Sequence, residues 1–281
     1  MDSSPSDSEP APSVFISYSE RPNGAVATVS ISNPTRLNSL NLRVYDAFVD
    51  AISSLAKNPK LRCVVVTGSP CTKGEAFVGG ADIVEMSQLP NAEAGREFIT
   101  GTHRVCQAMR DLSVPVIARI NGHALGAGLL VAGAADLKIA SSKATFGMPE
   151  VKRGVPSTVE SALLPGQIGE GRARRLLILG DVISATTAES WGLVDRVVEP
   201  TELDQAVEEW VEQLLEAGPR ALAGQKRLMK VWEQVSIHQA IEAGIWEFGR
   251  AFEGEGMKSE GRRMMSAFLE RNKEKKVKSK L

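Results

Sequence analysis

The feature that most constrains this chain is a strand that ends in glycines and restarts as a helix. Pro115-Val116-Ile117-Ala118-Arg119-Ile120 is a strand-like run, apolar from Val116 to Ile120 but for Arg119, and Asn121-Gly122-His123-Ala124-Leu125-Gly126-Ala127-Gly128 follows it directly. Next comes Leu129-Leu130-Val131-Ala132-Gly133-Ala134, small and apolar on every face. The first run reads as a buried strand of an α/β core, and the segment after it as a small-residue helix. Where the helix begins, its first N–H groups have no partner within it, and with the helix dipole they favour a negative charge. Glu75-Ala76-Phe77-Val78-Gly79-Gly80-Ala81-Asp82 has the same character. Two such turns can each present one backbone donor to a single oxygen, the arrangement of an oxyanion hole. Either turn alone is also an ordinary tight connection.

The remaining periodicity fits an α/β core followed by helices. Val26 to Ile31 alternates as a half-buried strand does, Cys63 to Thr67 reads as a buried strand, and Leu42–Leu55 and Glu93–Met109 have helical spacing. From about Thr201 strand signals stop. Helices are expected over Leu203–Ala217, Pro219–Trp232, Ile237–Phe252 and near Ser259–Glu270, punctuated by Gly218-Pro219 and Glu253-Gly254-Glu255-Gly256. The reading is a core over residues 13–200, a helical region over 201–275 forming a separate small cap, and a tail over 276–281. Residues 1–12, rich in Ser, Pro and acid, read as a disordered tail with no leader character. A chain of 281 residues, 43% apolar, can bury a large core.

Several function classes fall away. A net charge of −1 gives no basic surface, so nucleic acid is not an expected partner. No apolar run reaches the roughly 18–20 residues that span a bilayer, so no membrane association is expected. There is no Gly-x-x-x-x-Gly-Lys-Ser/Thr loop, Val131 stands where a dinucleotide fingerprint needs its third glycine, and no Gly-x-Ser-x-Gly elbow occurs. His103, His123 and His238 are scattered, and Cys63, Cys71 and Cys106 lack ligand spacing, so no metal is expected. Cys63 reads as a small buried hydrophobe. Ser279-Lys280-Leu281, after the basic stretch Lys273–Lys278, is the terminal tripeptide of peroxisomal import and predicts a peroxisomal location with an import receptor as partner.

Taken in order, Asn33-Pro34, Leu37-Asn38-Ser39-Leu40, Gly79-Gly80-Ala81-Asp82, Asn121–Gly128, Ala134-Ala135-Asp136-Leu137, Phe146-Gly147-Met148-Pro149-Glu150 and Trp191-Gly192-Leu193-Val194-Asp195 resemble the crotonase (enoyl-CoA hydratase/isomerase) superfamily over roughly residues 13–275. The resemblance implies an α/β, crotonase-like spiral of ββα units with a C-terminal helical trimerisation region, in a homotrimer or dimer of trimers. It implies an acyl-CoA substrate and no separate cofactor, coenzyme A being part of the substrate. The oxyanion donors fall on the N–H groups of Ala81 and Ala127, substrate contacts on Ala81, Asp82, Ile83, Val84 and Ala127, and the acid on Glu150. A thioester oxygen at the two donors would carry the charge of an enolate.

The chain departs from the hydratase pattern at one position. The first of the family's two glutamates falls on Leu130, which holds no proton. Addition of water is easiest with two carboxylates, whereas one suffices for the proton shift of the family's single-glutamate Δ3-Δ2-enoyl-CoA isomerases. Glu160 is a possible second acid, although Ser157-x-x-Glu160 before an apolar run also reads as a capping box opening a helix. Thr158 stands where dienoyl-CoA isomerases place an aspartate, which disfavours that activity. The segment Val155–Pro165 resembles a subgroup that includes peroxisomal mevalonyl-CoA dehydratases of fungal siderophore synthesis. Hydration or dehydration of an acyl-CoA, isomerisation, and a CoA-thioester-binding scaffold without turnover all stay open. In an apolar pocket lined by residues such as Leu130, Glu150 should have a raised pKa.

Overall fold

The computed structural model describes residues 11–278, and over them the chain winds as a spiral whose turns feed two sheets. β1 (Ser13–Arg21) and β2 (Gly24–Ser32) make an antiparallel hairpin. α1 (Leu42–Leu55) follows, capped by Asn41, whose side chain accepts from the Val44 N–H at 2.9 Å. Then come β3 (Leu61–Gly68), β4 (Ala76–Val78), α2 (Ile83–Ser87) and α3 (Ala92–Asp111). The next turn is β5 (Val116–Ile120), β6 (His123–Leu125) and α4 (Ala127–Ala134), and β7 (Leu137–Ser141) and β8 (Thr145–Gly147) open another. α5 (Leu164–Ile168), α6 (Glu170–Leu179), β9 (Val182–Ser184), α7 (Ala185–Trp191) and β10 (Arg196–Val198) complete the spiral. The larger sheet has the order β1-β2-β3-β5-β7-β10 and is parallel from β2 onward; the smaller is β4-β6-β8-β9 with its last pair antiparallel. The expected α/β spiral of ββα units is the fold the chain adopts.

Alternation along β3 explains why the large sheet is covered on both faces. Val64 and Val66 join the core that holds α1, α3 and α4, whereas Cys63 and Val65 meet the opposite side. There α8 (Leu203–Glu216) presents Leu203, Ala206, Val207, Val211 and Leu215, a stripe at helical spacing. The first trailing helix is therefore a layer of the core and not part of a separate cap. α9 (Pro219–Trp232) is fastened by Lys226, whose Nζ donates to Asp136 Oδ2 at 2.6 Å and to the carbonyls of Met109 and Val114 at 2.9 and 3.1 Å. α10 (Ile237–Arg250) turns Ile237, Ile241, Ile245, Trp246 and Phe248 outward, and α11 (Glu260–Lys278) follows it.

Sequence periodicity did not announce β1. Its Phe15 and Tyr18 are more than half exposed while Val14 and Ile16 rest on the core, so the apolar residues do not segregate to one face. Residues 1–10 of the expected tail over 1–12, and the tripeptide Ser279–Leu281, lie outside the described residues.

Candidate active site

β4 and β6 run side by side, with Val78 opposite Ala124, so the two glycine turns that follow them are neighbours. A close approach tightens this further: a Cβ on Gly128 would stand 2.0 Å from the Val78 carbonyl oxygen, leaving glycine as the residue that fits. The turns border a cavity of about 400 Å³ whose wall includes Ala81, Ile83, Phe98, Ala127, Leu130 and Glu150. Met86, Leu89 and Ile99 make its lining largely apolar.

Two backbone donors face no acceptor here. Ala81 sits in a parallel bridge with Leu40, in which the Leu40 N–H donates to the Gly80 carbonyl and the Asp82 N–H to the Leu40 carbonyl, each at 2.8 Å. That pattern employs the groups flanking Ala81 and leaves its own N–H on the other side. Ala127 is the first residue of α4, so its N–H has no partner within the helix. Among the described residues neither N–H has a hydrogen-bond acceptor. Gly126 makes the turn between β6 and α4 at φ +52° and ψ −121°, while its N–H is held by the Gly147 carbonyl at 2.8 Å.

Glu150 lines the same cavity. It is the second residue of the 3-10 turn Pro149–Arg153, where Pro149 fixes the first φ. A Cβ added to Gly126 would lie 2.6 Å from Glu150 Oε1, so the carboxylate is packed against the turn that carries Ala127. Its other oxygen, Oε2, accepts from the Ser157 hydroxyl at 3.1 Å. Burial pushes the Glu150 carboxyl above its usual value, opposed by its own backbone N–H, the Ser157 hydroxyl and Arg153. The site thus combines one carboxylate with a raised affinity for protons, two unengaged N–H groups, and apolar walls.

The sequence pattern of the family described as enoyl-CoA hydratase/isomerase matches residues 21–276. The chain is 36% identical over 249 residues to the crotonyl-CoA hydratase of Syntrophomonas wolfei, covering 88% of this chain and 93% of that one. It is 35% identical over 252 residues to the short-chain-enoyl-CoA hydratase of Clostridium acetobutylicum, with coverage of 89% and 93%. The crystal structure of the enoyl-CoA hydratase from Bacillus anthracis superposes with a TM-score of 0.83 at 28% identity, covering 92% of this chain and 96% of that one. The chain belongs to the enoyl-CoA hydratase/isomerase family. This is a family of enzymes.

Of the residues expected for that family, Ala81, Ile83, Ala127 and Glu150 line one cavity, and Leu130 lines it as well. Asp82 and Val84 do not line it. The Asp82 carboxylate accepts from the N–H groups of Val84 and Glu85 at 2.9 and 3.2 Å, capping α2, and pairs with Arg36 at 3.3 Å. Val84 is exposed on the outer side of the same helix. Glu160, the possible second acid, is also absent from the cavity wall: its Oε1 lies 2.6 Å from His103 Nδ1. The capping box is corrected as well. The short 3-10 segment Val159–Leu163 starts at Thr158 with no side-chain cap, because Ser157 is turned toward Glu150 and Val159 adopts φ +47°. Among the described residues no three His, Cys, Asp or Glu side chains cluster as metal ligands do. Sequence reasoning missed Ser157 and the lining residues Phe98 and Ile99. Ser157 carries no signal except its place in the loop after Glu150.

Proposed function

We propose that this protein is an enoyl-CoA hydratase-like enzyme that adds water to, or removes it from, an acyl-CoA thioester. The observation that carries the reading is that Glu150 and the unengaged N–H groups of Ala81 and Ala127 border one cavity. Hydration moves every electron pair within the substrate and water. Water attacks Cβ as Glu150 takes its proton, the double-bond electrons pass to the thioester oxygen, and the two N–H groups hold that enolate oxygen. Collapse of the enolate then takes a proton from Glu150 at Cα, and dehydration is the reverse. Each step uses only acyl-CoA, water and this chain's own groups, so the reaction calls for no further cofactor.

Leu130 favours a second reading. With one carboxylate at the cavity, Glu150 could remove a C2 proton from a 3-enoyl-CoA and return it to C4, the Δ3-Δ2 isomerisation. Both reactions are followed with the full-length protein: loss of crotonyl-CoA absorbance reports hydration, and conjugation of a 3-enoyl-CoA reports isomerisation. Glu150→Gln should lower whichever is present by at least about 10²-fold with acyl-CoA binding nearly unchanged. Binding with no turnover in either assay would indicate a scaffold.

The finer assignment rests on sequence. The Val155–Pro165 segment and the terminal Ser279-Lys280-Leu281 support a peroxisomal enzyme, delivered by the import receptor, whose substrate is mevalonyl-CoA in siderophore synthesis. The apolar face of α10 supports assembly as a homotrimer or dimer of trimers. Mass spectrometry of products from an acyl-CoA panel tests the first, and sedimentation of the purified protein the second.

A further inference from the structure

Val159 is the one β-branched residue among the described residues with a positive φ outside glycine, at +47°. A branched side chain in this region is strained, and such strain persists only where the surroundings over-determine it. Two anchors flank it. On the N-terminal side, Val155, Pro156 and Thr158 line the cavity and Ser157 donates to Glu150 Oε2 at 3.1 Å. On the C-terminal side, Glu160 is buried and its Oε1 lies 2.6 Å from Nδ1 of His103, a half-exposed residue of α3. Val159 itself packs on the main core.

Glu160 is an unusual residue to find as a tether. Its second oxygen, Oε2, is buried, and the fully buried Cys106 thiol interacts with the same carboxylate. Burying a carboxylate is costly unless the groups around it hold it, so Glu160 is confined to one place by its surroundings. α3 supplies the cavity's Phe98 and Ile99 as well as His103, so the bond ties one lining element of the cavity to the loop that supplies another.

We propose that Glu160 is a positioning residue. Bound to His103, it holds Val159 in its strained conformation, and that conformation fixes Ser157 on the Glu150 carboxylate and sets the loop wall formed by residues 155–158. The proposal rests on Glu150 as the proton-transferring group. Ser157 occupies Oε2, so Oε1 is the oxygen left beside the Gly126 turn and the cavity.

The test is steady-state kinetics on the full chain, with circular dichroism to show that each variant is folded. Displacing a reacting group by about 1 Å costs on the order of 10²-fold, so Glu160→Ala and His103→Ala should each lower kcat by about 10- to 100-fold. Because both break one bond, the double variant should fall no further than the worse single. Glu160→Gln keeps the length and an amide that can pair with His103, and should retain kcat within about threefold. Ser157→Ala should lower kcat, and Glu160→Ala should cost less in that background than alone. Folded Glu160→Ala with unchanged kcat, or losses that multiply in the double variant, would overturn the proposal. So would a Glu160→Gln as inactive as Glu160→Ala, which would make the carboxylate itself a proton carrier. Should Glu160→Ala not fold, His103→Ala breaks the same bond from the half-exposed side and decides the question. Glu150→Gln run in parallel separates the two readings: full activity there defeats the site assignment, whereas its loss alongside an active Glu160→Ala defeats only the positioning role.

Discussion

Gly126→Ala is the substitution whose effect can be worked out furthest. Gly126 has φ +52° with ψ −121°, a conformation a side chain disfavours, and strain of this sort costs about 1–3 kcal/mol. For a domain of this size each kcal/mol lowers Tm by about 2–4 °C, so the expected drop is about 2–12 °C. The added methyl would begin 2.6 Å from Glu150 Oε1, and ordinary contact starts at 3.4 Å, so the carboxylate must withdraw by 3.4 − 2.6 = 0.8 Å. A retreat of that size in a proton-transferring group should reduce kcat by on the order of 10²-fold. The assay is crotonyl-CoA turnover beside a thermal melt. Gly166→Ala is the control, since Gly166 lies in α5 and an added Cβ there meets nothing within 4 Å; it should leave kcat alone and raise stability by about 0.5–1 kcal/mol. A folded Gly126→Ala enzyme with the original kcat would refute the placement of Glu150 as the acid beside this turn.

Further outcomes follow from other parts of the molecule. Ala127→Pro removes the N–H at the start of α4 and should lower kcat by about 10²–10³-fold while circular dichroism stays native. Lys226→Met leaves the Asp136 carboxylate with only the Val116 N–H at 2.7 Å, and should cost about 3 kcal/mol in urea unfolding. Burial raises the folded-state pKa of Glu150, so its protonated form is the stabilising one: the benefit is present below the unfolded pKa and lost as pH rises through the folded value. Glu150→Gln should therefore melt above the parent at pH 7, and the gap should close toward about pH 4. Deleting Ser279–Leu281 should leave turnover intact and move the protein from peroxisomes to cytosol, as fluorescence microscopy would record.

The long elements were legible because each had a full apolar period. The bounds of α1, β5 and α9 coincide with those expected, helped at α1 by Asn41 and at α9 by Gly218-Pro219. Three-residue strands such as β4, β8 and β9 have too few residues to show alternation, so the small sheet had to come from the family resemblance. Of the site, Ala81, Ala127 and Glu150 were assigned through the family resemblance that the glycine turns and the Pro-Glu pair carry, and the structure brings all three to one cavity. Ser157 on Glu150 and His103 against Glu160 are long-range pairings with no local signature. The capping-box reading failed for a related reason: valine ordinarily avoids positive φ, so nothing in Ser157-Thr158-Val159-Glu160 warns that the backbone reverses there.

The two unengaged N–H groups belong to the backbone, whereas the carboxylate that shares their cavity belongs to a side chain. A codon change can delete Glu150, or exchange a lining side chain such as Leu130. Apart from proline, no codon can remove a backbone donor at residue 81 or 127. The geometry that keeps those donors aimed is guarded by residues such as Gly128, where any added carbon would strike the Val78 carbonyl. Descendants of such a chain therefore inherit the donor pair almost unaltered and diverge in the groups placed around it. New activities on this scaffold should arise by exchanging side chains over a fixed pair of amides, and libraries meant to redirect it are best concentrated at residues 130 and 155–160, with the two glycine turns left untouched.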